Sequence, residues 1–143
     1  MELKIKFFDE LTTRELYEIL RARETIFLLE QRIVCQDMDR VDLDALHCFL
    51  WDDGEIKAYL RAYKTAEGTA KMGRVLSVTH GIGLGTRLMN AALPEIKEKL
   101  SCDKLTIHAQ CHAEGFYRGF GFETTSDVFM EEGVPHVAME RCL

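Results

Sequence analysis

The stretch His80-Gly81-Ile82-Gly83-Leu84-Gly85-Thr86 is the first place in this chain where residue types and spacing suggest chemistry. Strand-like residues precede it, and helical spacing resumes at Leu84, Leu88, Ala91, Ala92, Ile96 and Leu100. A glycine-rich turn that opens a helix presents bare backbone N–H groups and the positive end of the helix dipole. The matching ligand is an anion such as a phosphate. Taken alone, the pattern is equally a tight turn before a helix. A Walker loop needs Lys after its last glycine, and Thr86 comes after Gly85 here. A dinucleotide fingerprint needs G-x-G-x-x-G in an opening β-α unit. Here Gly81, Gly83 and Gly85 alternate deep in the chain, and Asp103, near the required distance, does not end an apolar strand.

The remaining reactive residue types point to less. Five cysteines, at 35, 48, 102, 111 and 142, include no C-x-x-C pair. They form neither a disulfide framework nor paired zinc ligands and read as free thiols in a reducing compartment. The run Asp37, Asp39, Asp42, Asp44 lacks the glycine and terminal glutamate of a calcium loop. It is expected to be a solvated loop, with an acidic rim for a cationic acceptor as the alternative. No metal site is expected.

The elements that must position these residues are set by periodicity. Leu3, Ile5 and Phe7 alternate as a strand, and Thr12 with Glu15 forms a capping box that starts a helix from about Thr13 to Phe27. A second, weaker helix is expected beyond Gln31. Period-two patterns then give strands at Leu46–Trp51, Ile56–Tyr63 and Lys71–Ser77. The glycine-led helix contains Pro94, which is expected to kink it or shift its boundary. Strand Leu105–Ala109, a short helix Ala113–Phe120 and a hairpin of Phe122–Phe129 with Val134–Arg141 complete the order. This mixture of hairpins and β-α-β crossovers predicts an α/β (α+β) fold with a mixed sheet and helices on both faces.

At 143 residues, 47% hydrophobic and 29% charged, the chain has the size and composition of one globular domain spanning 1–143. The net charge of −6 argues against a nucleic-acid partner. No apolar run is long enough to span a membrane. The charged start Met1-Glu2-Leu3-Lys4 does not read as a secretory signal, so a cytoplasmic protein is expected.

The glycine stretch and the segments downstream of it resemble the GNAT superfamily of N-acetyltransferases. Its [Q/R]-x-x-G-x-[G/A] signature matches His80 to Gly85, with Leu88-Met89 at the usual apolar pair. The downstream signature A-x-x-(L/F)-Y-x-x-x-G-F is similar to Ala113, Phe116-Tyr117 and Gly121-Phe122. A closer resemblance, over residues 5 to 141, is to the ElaA-like branch. It rests on Phe27-Leu28-Leu29-Glu30-Gln31, on Asp37, Asp39 and His47, on His108 to Ala113, and on Glu131 to His136.

The resemblance implies a GNAT-type, mostly antiparallel sheet and direct acetyl transfer from acetyl-CoA to an amine of a small molecule or peptide. The implied cofactor-binding residues are Leu76, Ser77, Val78, His80, Gly81, Ile82, Gly83, Leu84, Gly85, Thr86 and Gln110. Among them, a backbone N–H of Leu76, Ser77 or Val78 would polarise the thioester carbonyl. Tyr117 falls at the position that protonates the departing CoA thiolate. Glu30, His47, Glu132 and His136 are the acceptor-side candidates for a base, alongside a water relay. Many relatives dimerise, so a homodimer is compatible with the resemblance. Two departures stand out: His80 replaces the usual Arg or Gln, and the connection from Gly73 to Gly81 is about two residues short. They keep open an alternative, a non-catalytic acyl-CoA-binding sensor module.

Overall fold

The computed structural model describes residues 1–143. Period-two segments form β1 (Glu2–Phe7), β2 (Leu46–Asp52), β3 (Glu55–Ala66) and β4 (Thr69–Ser77), paired antiparallel in that order. Next to them, β5 (Lys104–Gln110) pairs parallel with β4, and β8 (Val134–Cys142) pairs antiparallel with β5. Two short strands, β6 (Glu123–Thr124) and β7 (Phe129–Glu131), lie against β8. The sheet is therefore mixed and mostly antiparallel, in the order β1-β2-β3-β4-β5-β8-β6.

Side-chain alternation assigns the helices to faces. Leu46, Cys48 and Leu50 of β2 and Ala58, Leu60 and Ala62 of β3 pack with Leu88, Met89, Ala92 and Ile96 of α2 (Leu84–Lys99). Phe49 and Tyr59, the intervening residues, point to the other face and meet Ile19 and Ala22 of α1 (Thr13–Arg23). The short α3 (Glu114–Arg118) adds Tyr117 to the α2 side. Each large apolar side chain buried this way is worth about 1.5–3 kcal/mol.

The expected capping box starts α1: the Glu15 N–H donates to Thr12 Oγ1 at 3.0 Å, and the Thr12 N–H donates to Glu15 Oε1 at 2.9 Å.

Four local expectations need correction. The first helix does not stay α-helical to Phe27; after Arg23 it widens into a π-helical stretch, Glu24–Glu30, closed by the Gln31 N–H to the Ile26 carbonyl at 2.9 Å. No second helix comes after Gln31, and the next regular turn is a 3-10 segment at Val41–Asp44. Helix α2 runs through Pro94 to Lys99. Pro94 frees the carbonyl of Asn90, and because Asn90 is exposed, water can take it. The last hairpin has a broken first arm: between β6 and β7 the Thr125 N–H still donates to the Ala138 carbonyl at 2.8 Å, but the Ala138 N–H turns to Ser126 Oγ at 2.8 Å in place of a backbone carbonyl.

Candidate active site

The parallel strands β4 and β5 pair from Thr69↔Lys104 to Met72↔Ile107 and no further, although β4 runs to Ser77 and β5 to Gln110. Past Met72 they splay, and the gap opens into a cleft of about 470 Å³. A bulge in β4 sits at the point of divergence, where Arg74 and Val75 together oppose Leu60. Arg74 adopts φ +54°, a left-handed backbone that costs a non-glycine residue of order 1–3 kcal/mol.

Pairing decides which backbone donors face that gap. The Val78 N–H donates to the Lys57 carbonyl at 3.0 Å, so it is committed to β3. Antiparallel pairs alternate between bonded and non-bonded, which makes Ala58↔Ser77 a non-bonded pair and Tyr59↔Leu76 a bonded one. The Ser77 N–H therefore turns away from β3, toward the side that β5 has left. Leu76 and Val78 do not fit the role of carbonyl-polarising donor. Leu76 instead buries its side chain under α1.

Beyond β4 the chain reaches the glycine turn. Gly81 and Gly83 have φ of +79° and +80°, and nothing lies within 4 Å of where a Cβ would stand on either. Gly83 caps α2 without any side-chain bond, and no acidic residue occupies the first turn. The N–H groups of Leu84, Gly85 and Thr86 thus open the helix with no capping side chain, the arrangement an anion fits. Leu84 anchors this turn in the core, a Cβ on Gly85 would stand 3.4 Å from Phe116 Cζ, and Ile82 stands exposed at the tip. A pyrophosphate fits this bare backbone. His80 does not point its ring freely at the loop: its Nε2 contacts Glu30 Oε1 at 2.7 Å. Glu30 is thereby placed beside the glycine turn and does not line the cleft.

Tyr117 lines the cleft from α3, held edge-on by Phe116 at 5.2 Å and Phe122 at 6.0 Å. Burial pushes its phenol well above the usual range, so it keeps its proton at neutral pH and gives it up less readily than a free phenol. Gln110, at the end of β5, donates its amide to Gln31 Oε1 at 3.0 Å across the mouth.

Glu132 and His136 also line the cleft, whereas His47 does not. His47 is fully buried, with Nδ1 2.7 Å from the Tyr59 hydroxyl and Nε2 2.9 Å from the Asp42 carbonyl. Burial disfavours its imidazolium. As a base for an incoming amine, His47 is excluded by position.

In the acidic run Asp44 is exposed and makes no ion pair, as expected of a solvated loop, but Asp37, Asp39 and Asp42 are not free in solvent. Asp42 accepts from Arg23 at 2.7 Å and from Arg61 at 2.8 Å, and Asp39 accepts from Arg61 at 2.6 Å. Asp37 takes Arg23 Nε at 2.9 Å and Arg74 Nε at 2.8 Å. The bond from Arg61 leads in holding Asp39 down at about 2. For Asp42, burial alone would raise the carboxyl, and Arg23 and Arg61 overcome it. Three guanidinium groups neutralise three carboxylates, so Asp37, Asp39 and Asp42 offer an acceptor no net negative rim.

Sequence reasoning missed Arg74, Lys71 and Glu131 as cleft-lining groups. The signal for Glu131 was its place in the motif with His136; for Arg74 there was none, because a left-handed arginine has no local sequence mark.

Residues 26–143 match the family model described as the acetyltransferase (GNAT) domain. Protein ElaA of Escherichia coli is 33% identical over 139 residues, covering 93% of this chain and 91% of that protein. Its crystal structure superposes with a TM-score of 0.91 at 31% identity, covering 99% of each chain. The crystal structure of an acyl-CoA N-acyltransferase from Pseudomonas aeruginosa gives a TM-score of 0.92 at 34% identity, covering 99% of this chain and 100% of that one.

Proposed function

This chain belongs to the GNAT acetyltransferase family, in its ElaA-like branch, and from that premise we propose that it moves an acetyl group from acetyl-CoA to a primary amine by direct transfer. The splay of β4 from β5 carries the proposal. It opens a slot between strands that Tyr117 lines, and β4 leads on from that slot to the bare glycine turn.

In this reading the α2 N-terminus, with Gly81, Gly83, Gly85 and Thr86, takes the pyrophosphate. The pantetheine arm runs along the exposed edge of β4, and the Ser77 N–H polarises the thioester carbonyl as negative charge develops on its oxygen. The amine nitrogen attacks the carbonyl carbon, the C–S bond breaks, and the departing thiolate takes the Tyr117 proton. Gln110 steadies the cofactor at the mouth. The acceptor is a small molecule or a peptide. Five unpaired cysteines support a cytoplasmic setting.

His80 at the head of the glycine turn and the short connection from Gly73 to Gly81 support a second reading, in which the cleft binds acyl-CoA as a sensor without transfer. Release of CoA from acetyl-CoA, measured with a panel of primary amines, tests the choice. Amine-dependent release supports transfer. Calorimetric binding without release across the panel supports the sensor.

A further inference from the structure

We propose that His136 is the base that deprotonates the acceptor amine, with Glu131 as the counter-charge that holds the resulting imidazolium; this rests on the acyl-transfer reading above. Both residues line the cleft that contains Tyr117.

The hydrogen bonds at His136 fix which nitrogen is free. Its Nδ1 lies 2.7 Å from the Val134 carbonyl, an acceptor only, so Nδ1 carries a proton and donates it. In the neutral ring Nε2 then carries the lone pair. That lone pair faces Glu131 Oε2 at 3.7 Å, two acceptors with no proton between them. Protonation at Nε2 converts this mismatch into an ion pair. The arrangement is incomplete until His136 gains a proton, which is what a waiting base requires. His136 is only 7% exposed, so an imidazolium there needs a nearby carboxylate.

Glu131 is held in place from its other side. Its Oε1 is 2.8 Å from His108 Nδ1, and Phe129 lies edge-on to the His108 ring and stacked on the His136 ring. Strand pairing sets Gln110 of β5, His136 and Phe129 of β7 in one row, with His108 and Glu131 two residues along their own strands. Lys71 reaches the same place from β4, 3.3 Å from His108 Nδ1. Glu132 on the β7–β8 turn and His112 before α3 complete the titratable groups of this part of the cleft.

The protons balance. The acceptor arrives as an ammonium; one N–H bond breaks and an Nε2–H bond forms on His136. The free amine attacks the thioester carbon, the C–S bond breaks, and Tyr117 gives its proton to sulfur. The second proton shed by nitrogen restores the Tyr117 hydroxyl. His136 returns its proton to solvent, so the sum is ammonium plus acetyl-CoA giving amide, CoA thiol and one proton.

His136→Asn tests this, because the Asn amide can keep the donor to Val134 while removing the Nε2 lone pair. We expect kcat/KM for an alkylamine near pH 7 to fall by about a hundredfold to ten-thousandfold. The loss should shrink as pH rises and for an amine already neutral at the assay pH, with acetyl-CoA affinity unchanged by calorimetry. Glu131→Gln should move the acid limb of the pH–rate profile to lower pH, because the imidazolium loses its partner. An unchanged profile in both variants, with wild-type turnover intact, overturns this proposal alone. If His136→Asn does not fold, the acid limb of Glu131→Gln decides: displaced it supports the proposal, unmoved it overturns it. A wild-type protein that binds acetyl-CoA but turns over with no amine overturns the transfer reading and this base together.

Discussion

Asp37 clamps Arg74 through two bonds, Arg74 Nε to its carboxylate at 2.8 Å and Arg74 Nη2 to its backbone carbonyl at 3.2 Å. Arg23 grips the same carboxylate and the same carbonyl from α1, at 2.9 and 3.1 Å. A loop residue thus ties a buried helix arginine to the one left-handed residue of β4. Ion pairs of this kind add little net stability, and their value lies in fixing one arrangement.

Asp37→Asn should therefore lower kcat by about tenfold to a hundredfold, through misplacement of the β4 edge, and change acetyl-CoA affinity less. Adding Arg74→Gly, which adopts a positive φ freely, should recover part of the rate. Steady-state kinetics on the three proteins check this. A stability loss with unchanged kcat would mean the clamp only holds the fold.

Tyr117→Phe removes one hydroxyl and spares the ring's contacts with Phe116 and Phe122. Turnover should fall by roughly tenfold to a thousandfold at unchanged acetyl-CoA affinity. An unchanged rate in a folded variant would make Tyr117 a core aromatic and nothing more.

Acetyl-CoA at a hundredfold above its dissociation constant should stabilise the protein by about 2.7 kcal/mol, read as a thermal shift of several degrees. Gly83→Val should abolish most of that shift. At φ +80° a side chain is strained, and a β-branched group blocks the bare backbone of the helix cap. An equal shift in the variant would place the cofactor elsewhere.

Much of the fold was legible in the chain. Alternation at Leu46–Trp51 and Ile56–Tyr63, the Thr12–Glu15 box and the glycine-led helix all took their expected places, because each depends on neighbours a few residues apart. Three residues of the acidic run did not, since Arg23, Arg61 and Arg74 come to Asp37, Asp39 and Asp42 from separate elements. His47 is the parallel case within the site. Its residue type suggests a base, and only the fold reveals Tyr59 and the Asp42 carbonyl closing both nitrogens. Backbone direction at Ser77 likewise depends on a strand pairing that no local pattern encodes.

Acid stability has a definite sign. Burial alone would raise Glu15, but bonds from Lys4, the Thr12 backbone and Lys6 bring it from an ordinary 4.5 to about 2. Arg61 chiefly brings Asp39 from 3.8 to about 2. Both bind fewer protons folded than unfolded, so their contribution is present above about pH 4.5 and is lost as pH falls toward 2. Glu15→Gln should flatten that part of a stability–pH curve measured by urea unfolding. A curve as steep as wild type would show that Glu15 takes no part.

Direct transfer is tested most directly by tracing a carbon-labelled acetyl group. Acetyl-CoA labelled at the carbonyl, incubated with the protein and an amine it turns over, should yield labelled N-acetyl amine and free CoA in equal amounts. The protein's own mass should stay unchanged throughout, although Cys35 lines the same cleft. Labelled acetyl on the protein as an intermediate that the amine then discharges, or no labelled amide with any acceptor, would contradict the account.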